Sequence, residues 1–252
     1  MQILLGCAKI MTGQYHGDMQ DCTEPVFQSN AEQNALQLMR YSVDELQHML
    51  NVNTEIALEN RRRYFSFLER NTRIPAVFAY DGMVFKKLAP ESMTEQQLCY
   101  AQEHLNICSF LYGLLRPLDL VNPYRLEGSV ELPDNDGMTM FRYWQPLLTD
   151  YLIDKTKTDD GILVNLASDE MRNLFDWKRI KKELRIITPQ FKVEKNGKLK
   201  TIVIYTKMCR GAMSRDILAN RITVPESLAS FTYDGFTLHA DFSDSPLYIL
   251  HN

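Results

Sequence analysis

Three short apolar runs limit the folds open to this chain: QILLGCA at residues 2–8, ICSFLYGLL at 107–115 and ILVNLA at 162–167. Each is bounded by polar sequence and lacks the alternation of a strand with one wet face, so each reads as a strand covered on both faces. Covered strands need helices to cover them. Leu36, Met39, Val43, Leu46 and Leu50 have helical spacing and predict one helix over 32–50, followed by a more charged helix over 53–68. Thr94 and Gln97 form a Thr-x-x-Gln capping box that opens a helix reaching Asn106. Residues 140–153 read as a helix with a kink or restart at Pro146, and 211–221 as another. Residues 74–88 predict a strand, an Asp81-Gly82 turn and a second strand, and 185–207 a hairpin about Asn196-Gly197. With no repeat and no Pro/Gly/Ser linker, residues 1–252 are expected to form one α/β domain, a mixed sheet flanked by helices.

Five cysteines, odd in number and without a Cys-x-x-Cys pair, indicate neither a disulfide framework nor a zinc ribbon and suggest a reducing compartment. No stretch approaches the ~18 apolar residues of a membrane span. Leu4-Leu5-Gly6-Cys7 imitates a lipidation site, but no basic segment precedes it. The expected location is therefore the cytoplasm, with no membrane partner. The net charge of −4 argues against a surface that coats nucleic acid all round, yet it is unevenly spread. Residues 172–221 hold 14 Lys/Arg against 4 Asp/Glu, a local net of +10. That is either a solvated basic face or a field aimed at an anion.

In open α/β sheets the carboxyl ends of strands line the binding crevice. Polar residues follow each covered run: Lys9 after the first, Arg116 and Asp119 after the second, and Ser168, Asp169 and Glu170 after the third. Lys207 to Gly211 is expected to be a strand end leading into a helix N-terminus, where free N–H groups favour an anion. Between Pro117 and Pro123 the chain sets down charges of both signs. Arg116 and Arg125 either pair with Asp119 and Glu127 merely to pin the loop, or are held by those carboxylates so that their forks face a phosphate. Metal chemistry finds little support: Glu45-x-x-His48 occurs once, and His16, His104, His239 and His251 show no ligand spacing. No Walker loop, Gly-x-Gly-x-x-Gly or Gly-x-Ser-x-Gly is present in the sequence.

Several stretches in order along nearly the whole chain resemble the peroxide stress protein YaaA family. They are Ala8-Lys9, the block Tyr112-Gly113-Leu114-Leu115-Arg116-Pro117-Leu118-Asp119-Leu120 with Pro123-Tyr124-Arg125-Leu126-Glu127, the run Asn165-Leu166-Ala167-Ser168-Asp169-Glu170, and Arg210-Gly211-Ala212-Met213-Ser214-Arg215 with Asn220-Arg221. The resemblance implies an unusual α/β arrangement that includes a helix-hairpin-helix-like element. It also implies a role in surviving peroxide stress, in limiting free intracellular iron and Fenton damage, and in binding double-stranded DNA through a basic cleft. Carried onto this chain, the DNA- or phosphate-binding residues are Lys9, Arg116, Arg125, Lys207, Arg210, Arg215 and Arg221. Asp119, Tyr124, Glu127, Asn165, Ser168, Asp169 and Glu170 would support them. No catalytic residue, cofactor or resident metal is implied. Where Ser-Pro precedes Ala-Lys in the family, Gly6-Cys7 stands here.

Two other functions compete with non-catalytic DNA binding. An enzyme acting on a nucleotide or another phosphorylated small molecule would use Lys9, Asn165, Ser168 and Glu170 around its ligand. Direct iron sequestration would have to use carboxylates such as Asp119, Glu127 and Asp169. A groove as wide as a duplex favours DNA, and a pocket of a few hundred cubic ångströms favours a small ligand.

Overall fold

The computed structural model describes residues 1–12, 15, 21–69 and 73–251. Strand β1 (Gln2–Leu5) is followed by the helices α1 (Gln28–Leu38), α2 (Val43–Leu50) and α3 (Thr54–Phe65). A two-residue strand, β2 (Ile74–Pro75), leads into the short helices α4 (Ala76–Ala79) and α5 (Met83–Leu88). Helix α6 (Glu95–His104) precedes β3 (Leu105–Ser109), β4 (Gly113–Leu115) and β5 (Leu120–Val121). The long helix α7 (Met140–Asp159) is followed by β6 (Ile162–Leu166), α8 (Trp177–Glu183) and β7 (Arg185–Ile187). Then come β8 (Gln190–Lys195), β9 (Lys198–Lys200), α9 (Val203–Asn220), β10 (Phe236–Leu238) and β11 (Leu247–Leu250).

The covered runs build the central sheet, ordered β4-β3-β1-β6-β7. β1 lies in its middle and pairs in parallel on both sides, Ile3 with Leu105 and with Val164. All four of its residues are buried, as a strand with two parallel neighbours and both faces covered requires. β7 continues the parallel set, and β4 folds back antiparallel on the far edge. A second, mixed sheet has the order β10-β11-β8-β9, and β2 pairs with β5. The expected α/β domain with mixed sheets is thus present. Among the described residues no helix is long and apolar enough to cross a membrane.

Local chemistry places several boundaries as expected. Thr94 accepts from the Gln97 backbone at 3.2 Å while the Gln97 side chain accepts from the Thr94 N–H at 3.0 Å. Asn196 and Gly197 both take positive φ, 54° and 69°, and turn β8 into β9. Elsewhere long-range packing overrides the sequence pattern. The helix expected over 32–50 is two helices, because Ser42 makes a capping box with Glu45 and starts α2 anew. The single strand expected over 107–115 is a hairpin. Gly113 turns with φ 73°, and a Cβ there would sit 2.9 Å from Leu148 and Trp144 of α7. Leu111 to Leu114 therefore belongs to a turn and the strand β4.

Residues 83–88 form α5 rather than a second strand. The reason lies across the molecule: α5 packs against α9 where Gly211 allows a backbone crossing that no side chain would permit. α9 begins at Val203, so Lys207 to Gly211 lie inside a helix rather than at its N-terminus. α7 runs through Pro146 to Asp159 without ending. Near that proline the Thr149 hydroxyl donates to the Gln145 carbonyl at 2.5 Å.

Candidate functional site

The carboxyl ends of the neighbouring parallel strands β1 and β6 open onto one cavity of about 370 Å³. The chain leaves β1 through Gly6-Cys7-Ala8-Lys9 and leaves β6 through Ala167-Ser168, and both exits line it. Gly6 keeps these exits close, since a Cβ there would meet Met171 at 3.3 Å. Phe110, Leu126 and Leu166 are among its apolar lining, and α5 presents Met83 and Val84. From α9 come Lys207 and Arg210, three residues apart and so on one helix face.

Arg125 and Glu127 are nearly enclosed. The Arg125 Nε donates to Glu127 Oε1 at 2.8 Å, and one terminal nitrogen lies 2.7 Å from the same oxygen. The other terminal nitrogen donates to the Lys9 carbonyl at 3.2 Å, and Lys9 Nζ stands 3.2 Å from Glu127 Oε2. Tyr64 donates its hydroxyl to the Arg125 carbonyl. The fork of Arg125 is therefore committed to its own frame. Beneath it, the Tyr124 hydroxyl contacts Ser109 Oγ at 2.7 Å and Tyr80 at 3.1 Å, and burial pushes both tyrosines well above the ordinary phenol range. Burial, reinforced by Glu170, likewise pushes the Cys7 thiol up to about 12. Both effects favour the protonated thiol at neutral pH.

Arg210 differs from every other arginine of the site. Burial pulls its pKa down, with Asp169 opposing. Among the described residues its guanidinium has no hydrogen-bond or ion-pair partner. Glu170 and Ser168 also line the cavity without side-chain partners among the described residues. A second cavity of about 440 Å³ lies against the first, and Lys9, Arg125 and Glu170 line both. Glu127, Ser129 and Asn173 face the second. Asn173 also borders a more open depression of about 660 Å³, where Asp169 stands 3.6 Å from Arg172.

Of the residues expected from the sequence, Lys9, Tyr124, Arg125, Ser168, Glu170, Lys207 and Arg210 come together in the first cavity. Glu127 is in the second and Asp169 in the depression. Asn165 lines none of these three spaces; its Oδ1 accepts from the Ala167 N–H at 3.2 Å and braces the strand end. Arg116 and Asp119 are carried elsewhere because β4 runs antiparallel to β3, so its carboxyl end points to the opposite edge of the sheet. There Asp119, fully buried, accepts from the Arg116 side chain at 2.8 Å and 3.1 Å, from its backbone at 2.7 Å and from Thr23 at 2.6 Å. Arg215 donates to the carbonyls of Leu88, Ala89 and Ser92 at the end of α5. Arg221 caps α9 in the left-handed conformation and lies over Tyr100.

The basic stretch 172–221 does not form one face. Arg179 pairs with Asp150 and Glu183, Arg185 with Glu226 and Asp244, and the lysines of β8 and β9 project from a separate hairpin. Met83, Val84 and Phe110 were not foreseen as site residues, since a helix at 83–88 and a turn after Ser109 had no local signature. Among the described residues no three His, Cys, Asp or Glu side chains gather in a way that could hold a metal ion. His16 lies outside the described residues.

The family model for "Peroxide stress protein YaaA" matches residues 1–242. A UPF0246 protein of Bacteroides fragilis is 52% identical over 253 residues, covering 100% of this chain and 98% of that protein. A UPF0246 protein of Bacteroides thetaiotaomicron is 50% identical over 245 residues, 97% of this chain and 95% of the other. One from Porphyromonas gingivalis is 43% identical over 252 residues, with 99% and 98% covered.

Proposed function

The chain belongs to the peroxide stress protein YaaA family, and from that premise we propose that it acts in the cytoplasm by binding a small phosphorylated ligand in the cavity at the ends of β1 and β6. The observation that carries this reading is Arg210. A half-buried guanidinium without a partner is costly, and proteins retain such a group where a ligand supplies the missing anion. Lys207 on the same helix face adds a second positive charge, while Arg125 and Lys9, already tied to Glu127, give the opposite wall a fixed shape. A cavity of about 370 Å³ suits a small molecule.

Arg210→Met separates this role from a structural one by sign. Replacing an uncompensated charge with an apolar chain of similar length is expected to leave the melting temperature of the free protein unchanged or raise it. Millimolar phosphate is expected to raise the melting temperature of the wild-type protein and not that of the variant. A lower melting temperature with phosphate stabilisation intact would refute the assignment.

A second reading, sequence-independent binding of double-stranded DNA, is favoured by one observation. Lys195, Lys198 and Lys200 are exposed on the β8–β9 hairpin, and Lys207 is exposed on the neighbouring helix. We propose these lysines, rather than Arg116, Arg215 or Arg221, as the groups that meet a duplex. The link to intracellular iron and Fenton damage belongs to this reading at the level of the cell. Replacing the three hairpin lysines with glutamine should weaken binding to unrelated duplexes equally and flatten its salt dependence by roughly 0.9 for each phosphate no longer neutralised. Unchanged affinity and slope would remove the hairpin from the interface.

A further inference from the structure

We infer that the ligand of the first cavity is a nucleoside 5′-phosphate whose free ribose hydroxyls are held by Glu170; this rests on the phosphate-binding reading above and goes further, to the rest of the ligand. The cavity carries unpaired groups of both signs. Lys207 and Arg210 line it from α9, and Glu170 lines it from the exit of β6. A simple anion would satisfy the cations and be repelled by the carboxylate. A ligand that fits must present negative charge to one wall and hydrogen-bond donors to another.

Two kinds of donor meet that demand: an ammonium group or a pair of hydroxyls. The neighbours of Glu170 decide between them. Lys9 and Arg125 line the same two cavities as Glu170, and both are cationic. Glu127 is shared between them and offsets only one of the two positive charges, so an incoming ammonium still meets net repulsion from this wall. A neutral diol meets no such repulsion, and a carboxylate accepts from two adjacent hydroxyls through its two oxygens. The Ser168 hydroxyl, with no partner among the described residues, supplies a further donor or acceptor on the same wall. The remaining lining, with Met83, Phe110, Leu126, Leu166 and Met171, is apolar and suits a flat base. Carboxylate for ribose, cations for phosphate and an apolar lining for the base match the parts of one nucleotide.

The test is titration calorimetry with the full chain, using inorganic phosphate, ribose 5-phosphate, the four ribonucleoside 5′-monophosphates, and the 2′,3′-dideoxy form of the tightest binder. The tightest ribonucleotide is expected to bind at least about tenfold better than its dideoxy form, the size of a charged hydrogen bond. In Glu170→Gln that ratio should fall towards one while inorganic phosphate, no longer repelled by the carboxylate, binds at least as tightly as in the wild type. Equal binding of the ribo and dideoxy forms, or a ratio unchanged in Glu170→Gln, would overturn the assignment of Glu170. Binding of phosphate or ribose 5-phosphate with no gain for any nucleotide would overturn the assignment of the apolar lining. If neither phosphate nor any phosphorylated probe binds, the phosphate-binding reading itself fails, and this inference with it.

Discussion

Gly211→Ala sets two effects of opposite sign against each other. Alanine in place of glycine inside a helix ordinarily gains up to about 1 kcal/mol, because the unfolded glycine has more freedom to lose. Gly211 is an interior residue of α9, so by that rule alone the variant is more stable. The crossing with α5 reverses the expectation. The new methyl carbon would lie 2.1 Å from the Val84 carbonyl oxygen and 2.9 Å from Lys87 Cβ, where a carbon–oxygen contact needs about 3.3 Å or more. Val84 O is backbone, so relief requires α5 and α9 to part by about an ångström. Overpacking of this kind costs about 1–3 kcal/mol, and an overlap on backbone belongs at the upper end. The net expectation is a loss of about 2 kcal/mol, or roughly 4–8 °C in melting temperature for a chain of this size. Urea unfolding should show a lower midpoint at unchanged slope. Adding Lys87→Ala keeps the crowding Cβ at position 87 and leaves the Val84 carbonyl in place, so it should recover nothing. Because α5 carries Met83 and Val84 and α9 carries Lys207 and Arg210, phosphate affinity per folded molecule should fall as well. A variant as stable as the wild type would refute the close crossing and the cavity shape derived from it.

Arg116→Ala leaves the fully buried Asp119 without its guanidinium and is expected to cost about 3 kcal/mol, read as a lower urea midpoint. Phosphate binding per folded molecule should be unaffected; its loss at unchanged stability would put Arg116 in the site after all. Lys155 donates to Asn106 Oδ1 at 2.9 Å, and burial, then the Arg116 charge, pulls its pKa down to about 8. The folded chain therefore binds fewer protons than the unfolded chain between about pH 8 and the ordinary lysine value near 10.4, so wild-type stability should climb relative to Lys155→Met across that window. The buried cysteines titrate alike in both proteins and cancel in the difference, and parallel stability curves from pH 7 to pH 10 would sink the assignment.

What the sequence made legible was chemistry that acts within a few residues. The Thr94 box, the Asn196-Gly197 turn and the covered strands at Gln2–Leu5 and Ile162–Leu166 are settled by their own side chains and backbone angles. From the strands, the rule that sites gather at their carboxyl ends reached Lys9, Ser168 and Glu170. The same rule misplaced Arg116, because whether β4 runs with β3 or against it depends on a turn at Gly113 closed by Trp144 and Leu148, far along the chain. Residues 83–88 and 203–207 carry valine, isoleucine and aromatic side chains that suit strands. Their helical state follows from the α5–α9 crossing, which has no local trace beyond one glycine.

The β8–β9 hairpin has a consequence for how copies of this chain meet. β9 is one border of the second sheet, three residues long and, among the described residues, paired with β8 alone. Leu199 at its centre is 47% exposed, and an exposed apolar strand with free N–H and C=O groups is a template for recruiting another chain. Lys198 and Lys200 flank that leucine, with Lys195 across the turn. A second copy offering the same border would have to press its ammonium groups against these. The charges thus oppose pairing of two copies across this border.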